Sequence, residues 1–138
     1  MDYLLQNCKV VPAVVPTAGT VAAMTATVVN ATGFSRALFV VATGAAATGA
    51  TLDAKIQKSS ASGGTYSDVT GAALTQVTAA AGASKVYGID VTVDPAKPFM
   101  KVVGAVATDT FANGSVCILY SGSGSYPNAA PATEAVLA

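Results

Sequence analysis

In the run "TLDAKIQKS" every second side chain is apolar, with Leu52, Ala54 and Ile56 on one side and Asp53, Lys55 and Gln57 on the other. Successive side chains of a strand point to opposite faces, so this period of two specifies a β-strand with one face buried. An amphipathic helix is excluded there, because its apolar positions recur at three and four. "SKVYGIDVTV" repeats the pattern, with Tyr87, Ile89, Val91 and Val93 on one face against Asp90 and Thr92. Two more runs, "FMKVVGAVA" and "SVCILY", are apolar on both sides, the pattern of strands covered by a layer on each face. With "CKVVPAVV", "AMTATVV", "ALFVVA", "YSDV" and "LTQV" the chain offers seven to nine short strands. Turn material such as "NATGF", "SASGGT", "DPAKP" and "FANGS" separates them at the intervals of a β-sandwich, too short for the crossovers that parallel strands need. The Ala-rich segments "TGAAATGA" and "TAAAGAS" read as loops, since Gly49 and Gly82 interrupt them and neither carries an apolar stripe over three turns. An all-β, antiparallel sandwich follows.

At 138 residues the chain is the size of one domain with one core. The sandwich is assigned to residues 11–121, between an N-terminal arm at 1–10 and an extended C-terminal arm at 122–138. Only 10% of residues are charged and 52% are hydrophobic, where a typical domain carries about a quarter charged. That surplus does not form a membrane span, because the strongest run, Ala37–Ala42, ends at Thr43 and Gly44, well short of the ~20 residues a spanning helix needs. The start, "MDYLLQNCKVVPAVV", has no basic cluster ahead of its apolar part and does not resemble a secretory signal. Seven basic and seven acidic residues, scattered singly, argue against nucleic acid as a partner, which calls for clustered Lys and Arg. So little charge leaves little repulsion between copies and favours association with other chains.

The chain has no histidine, which removes Ser–His and Cys–His nucleophile systems and His-ligated metals. Cys8 and Cys117 have no paired spacing and read as buried free thiols, with a disulfide between terminal strands as the alternative. Asp53 and Asp90 fall on polar strand faces, and Asp68, Asp94 and Asp109 fall near turns, so all five read as solvated or turn-forming carboxylates rather than a hydrolytic pair. "DVTVDP" places two carboxylates four apart but lacks the alternating oxygen ligands of a calcium loop. Tyr66, Tyr120 and Tyr126 are the candidates for a sugar-stacking platform, against the simpler role of packing under turns or at a subunit contact. The expectation is a non-enzymatic protein with no catalytic residue, no metal and no cofactor.

Both ends depart from the strand pattern. From Ser121, "SGSGSYPNAAPATEAVLA" gives a Gly/Ser hinge, a Pro-containing stretch with one charge, and an apolar finish. A segment of that composition suits burial on a neighbouring surface better than free solvation. "MDYLLQN" has the same character, which makes Tyr3, Leu4, Leu5, Tyr126, Val136 and Leu137 the candidate partner-binding residues.

The succession "LDAKIQKS", "TYSDVTGA…TQVT", "FMKVVGAV" and "SVCILYSG", over roughly residues 30 to 122, resembles small β-sandwich structural proteins of tailed bacteriophages. The resemblance implies a jelly-roll-type sandwich of about eight strands that acts as a capsid decoration or cement protein. It implies a place on the outer surface of the virion, with the major capsid protein as partner and a homo-oligomer, a trimer favoured, as the working form. Synthesis would be in the host bacterial cytoplasm. A neck or tail component of the same particle and a carbohydrate-binding adhesive module are the alternatives.

Overall fold

The structure, a computed structural model, describes residues 8–122. Within them the chain forms ten strands: β1 (Cys8–Thr17), β2 (Ala22–Ala23), β3 (Val29–Asn30), β4 (Arg36–Ala46), β5 (Thr51–Ser59), β6 (Ser67–Ala73), β7 (Val77–Thr78), β8 (Val86–Thr92), β9 (Phe99–Ala107) and β10 (Phe111–Tyr120). One helical turn, α1 (Ala79–Gly82), follows β7. The first sheet runs β1-β10-β4-β8 and the second β2-β9-β5-β6, with β3 also on β9 and β7 also on β5. Every pairing is antiparallel. Counting β2 with β3, and β6 with β7, as single positions leaves two four-strand sheets. Every connection between positions crosses from one sheet to the other except that from β5 to β6. This is the strand order of a jelly roll, the fold class expected from the sequence.

Alternation in each long strand supplies the core. Ala37, Phe39 and Val41 of β4 face Leu52, Ala54 and Ile56 of β5, and Met100, Val102 and Val106 of β9 join Cys117 and Leu119 of β10 between the sheets. Phe39, Phe111, Leu52, Ile56, Met100 and Leu119 are the largest fully buried side chains, each stabilising by about 1.5–3 kcal/mol through burial. At one end a smaller group of Val41, Leu52, Val77, Val106 and Phe111 closes the sandwich. Gly19 caps that end: its φ is +70°, its carbonyl accepts from the Phe111 N–H, and a Cβ there would lie 1.7 Å from the Phe111 carbonyl oxygen. Only glycine fits the position.

Several local expectations are corrected. β4 does not stop before "TGAAATGA" but runs to Ala46, because Thr43 and Ala46 pair with Asn113 and Phe111. The second Ala-rich segment contains α1, whose buried Gly82 packs against Val77. "AMTATVV" yields β2, a single bridge from Ala26 to Val14, and β3, while "LTQV" contributes only Val77 and Thr78. Ladder pairing already begins at Cys8, within the stretch 1–10 read as an arm. β9 and β10 are not covered on both sides: with two layers only, their outward residues Lys101, Val103, Val116 and Ile118 are half-buried or exposed.

Cys8 pairs with Tyr120 and Cys117 with Val11, three positions apart along β10 and on opposite faces of the sheet. Both thiols are free and buried. Desolvation pushes Cys117 up to about 12, which leaves it protonated and inert. Among the described residues no helix is long and apolar enough to cross a membrane, and no group of three or more potential ligands is placed to hold a metal ion.

Candidate functional site

Register converts the two-sided apolar runs into a surface. In the first sheet Val10, Ile118, Leu38 and Asp90 form one outward row, Pro12, Val116, Val40 and Gly88 the next, and Gly114, Ala42 and Val86 a third. Val15 and Pro16, on the bulged end of β1, continue it. Of twelve outward positions across four strands and three rows, counting Val15 as the last, Asp90 alone is charged. Val86 is 70% exposed, Val15 61% and Val116 42%, so the face is open to solvent rather than roofed by a third layer. β-branched residues form strands well on either face, so alternation alone does not require this side to be apolar.

One end of the face is closed by polar contacts. Arg36 pairs with Asp90 at 3.0 Å and donates to Thr92 Oγ1 at 2.8 Å, and the Tyr120 hydroxyl donates to Asp90 Oδ2 at 2.6 Å. Burial alone would raise the Asp90 carboxyl, but the bonds from Tyr120 and Arg36 outweigh it and hold the group below the ordinary aspartate value. The opposite end opens into a groove of about 440 Å³ walled by Pro12, Val15, Pro16, Val40, Ala42 and Val116. Gly114 lets Pro16 lie against β10, since a Cβ there would sit 3.0 Å from the proline ring. Beneath it, on the inward side, Asn113 Oδ1 and Ser115 Oγ are buried without a hydrogen-bond partner.

The outward face of the second sheet is different in kind. Lys55 pairs with Asp68 at 2.9 Å, Gln57 donates to Asp68 at 2.7 Å, Gln76 donates to Asp53, and Lys101 Nζ lies 4.1 Å over the Tyr66 ring. Its charged side chains each find an ionic, amide or aromatic partner, as a solvated sheet requires.

The carboxylates singled out from the sequence all have partners within the chain. Besides Asp53, Asp68 and Asp90, Asp94 accepts from the Ala96 N–H and from Lys58, and Asp109 from the Thr110 N–H. Asp90 and Asp94, the two acids of "DVTVDP", are thus each engaged by a different cation. The Tyr66 hydroxyl donates to the Ser62 carbonyl and closes the β5–β6 loop, while Tyr120 is held by Asp90. Tyr3, Leu4, Leu5, Tyr126, Val136 and Leu137 lie outside the described residues. Sequence reasoning missed Val10, Pro12, Val15, Leu38, Val40, Val116 and Ile118. The signal was present: strands apolar at every position turn one apolar side outward where no third layer covers them, and among the described residues the single helical turn α1 is too short to form one.

No protein-family model matches the chain, and no curated protein matches it in sequence. Among solved structures, a chain in the structure of the infectious bursal disease virus Gx strain is similar, with a TM-score of 0.55 and 14% identity over 87% of this chain. The match takes in 33% of that chain, so this protein spans about a third of its neighbour's length. At that identity the likeness is one of fold.

Proposed function

We propose that the protein is a non-enzymatic structural component of a virus particle, a decoration or cement protein that binds the outer surface of a tailed-phage head where major capsid subunits meet. The observation that carries this reading is the apolar outward face of the β1-β10-β4-β8 sheet, a patch of the kind that working proteins keep covered by a partner. The fold shared with a chain of a virus structure supports it, as does the sequence resemblance to phage β-sandwich proteins. The chemistry such a part needs is burial, not turnover. A copy that binds only the assembled shell shifts the balance against shell opening by mass action, about 2.7 kcal/mol per site at a hundredfold excess over Kd. Association into a small homo-oligomer, a trimer favoured, would multiply weak contacts into a firm grip.

Copy number tests the reading. Quantitative peptide mass spectrometry on purified particles should give a simple ratio of this chain to the major shell protein. A few to a dozen copies per particle would move the protein to the neck or tail, and none would overturn a virion role and make glycan binding the next assay.

A further inference from the structure

Each sheet has two edges, and an edge strand offers unpaired N–H and C=O groups to any strand laid beside it. Three of the four edges are blunted. β1 carries Pro12 and Pro16 and shifts register twice along β10. On the second sheet β2 and β3 are two residues each, and β6 shifts register on β5 and holds Gly71 at φ +77°. β8 differs from all of these, with seven residues, no proline and an unbroken register along residues 36–42 of β4.

The ladder with β4 fixes which groups β8 leaves free. At its two ends the Thr43 N–H donates to the Lys85 carbonyl and the Val93 N–H donates to the Ser35 carbonyl. Backbone groups alternate sides along an antiparallel strand, so the odd-numbered residues bond β4 and Val86, Gly88, Asp90 and Thr92 turn theirs to the free edge. Among the described residues no backbone bond joins that edge to β6, and a cleft of about 490 Å³ lies between residues 69–74 and 88–92. Gly88 is exposed, and a glycine's exposure is exposure of its backbone.

We propose that this edge pairs with the β8 edge of a second copy of the chain, antiparallel and two-fold symmetric about Ile89. In that register Val86 meets Thr92 and Gly88 meets Asp90 as hydrogen-bonded pairs, which engages all four free residues of both strands. A shift of two residues either way leaves one free residue of each strand unpaired, and one of the two shifts sets Asp90 against Asp90. On the inward side Ile89 meets Ile89 and Tyr87 meets Val91, so the junction is apolar beneath. Seven acidic and seven basic residues leave no net repulsion between copies.

The outward face gains from the pairing. Its three rows cover four strands about 4.8 Å apart and about 6.6 Å per row, an area near 400 Å². A stable interface takes about 800 Å² from each partner, twice what one copy offers. The two-fold axis of an antiparallel pair stands perpendicular to the sheet, so both apolar faces point the same way and join into one surface of that size. The contact occupies an edge and leaves the face free for the shell. A three-fold association through other surfaces is untouched by it, and there the edge would link one trimer to the next.

Sedimentation of the full-length chain over a wide range of concentration tests the pairing, with circular dichroism as the check on folding. Gly88→Pro removes a donor from the free edge and none from the β4 ladder, so it should weaken association tenfold or more with the sandwich intact. At the highest concentrations the native chain should show at least twice the mass of this variant. The amides of Val86, Gly88, Asp90 and Thr92 should then exchange slowly in the native chain. Two further variants test the register, since a Cβ at position 88 meets nothing nearer than Leu38 Cδ1 at 3.5 Å. Gly88→Asp sets a like charge against the partner's Asp90 and should weaken association several-fold, Gly88→Lys should strengthen it several-fold, and both effects should shrink in high salt. A mass that never rises, or that rises equally in the native chain and Gly88→Pro, overturns the proposal, as do two charge variants that shift association in the same direction. Particle copy number is measured separately, so failure here is distinguishable from failure of the shell reading.

Discussion

The two sheets bury similar residues and expose opposite ones. Inward, β4 and β5 contribute Phe39 and Val41 against Leu52 and Ile56; outward, β4 shows Leu38 and Val40 where β5 shows Asp53, Lys55 and Gln57. The core therefore accounts for the fold but not for the composition. A sandwich needs only one apolar side per strand, and the second sheet shows how the other side is written when it meets water. The first sheet keeps its outward side apolar, and that asymmetry is what a functional account has to explain.

The largest expected effect separates the two sides of a single strand. Phe39→Ala should lower unfolding free energy by about 3–5 kcal/mol in urea titration, whereas Leu38→Ala, one residue away and outward, should cost about 1 kcal/mol. Comparable losses would mean that Leu38 is roofed and the face is not free. Next, the double substitution Val40→Asp and Val116→Asp should weaken particle binding tenfold or more with little change in melting temperature; retained binding would remove the face from the contact. On the second sheet Lys55→Ala should cost only about 0.2–1 kcal/mol, shrink further in high salt, and leave particle binding unchanged.

The smallest effect is the response to pH. Lys55 and then Gln57 hold Asp68 low, the Ala96 N–H and then Lys58 hold Asp94 low, and Asp90 stays low through Tyr120 and Arg36 against its own burial. A carboxyl whose folded-state pKa lies below its unfolded one stabilises the fold above the unfolded value, near 3.8 here, and loses that contribution as pH falls through the folded value. Stability should hence be flat between about pH 5 and 8, where a chain without histidine has almost nothing to titrate, and decline below about 4. A step near pH 6.5 in thermal melts would contradict this assignment.

Periodicity made the long strands legible, because Leu52, Ala54 and Ile56 report a buried face wherever they sit. What it could not report was contact made far along the chain. β4 continues through Thr43 and Gly44 because Asn113 lies opposite and because the Thr43 hydroxyl bonds the Gly82 and Lys85 carbonyls. Local propensity in an Ala-Gly tract contains none of that. β2 and β3 are two residues each because β9 offers them an edge, not because their own pattern is strong. The outward face was half-legible: "SVCILY" announced apolar residues on both sides, and only the number of layers decided whether the second side was buried or displayed.

The pairing of Cys8 with Tyr120 places the first and last described strands side by side and antiparallel, with both chain exits at one corner. Tension applied through those exits would load the β1–β10 ladder at its end and break its hydrogen bonds one pair at a time, as a zip opens, whereas tension between the two broad faces would be shared by every strand at once. A part of this shape yields when pulled by its ends and resists when clamped by its flanks, so whatever load it carries is best passed through the sheets.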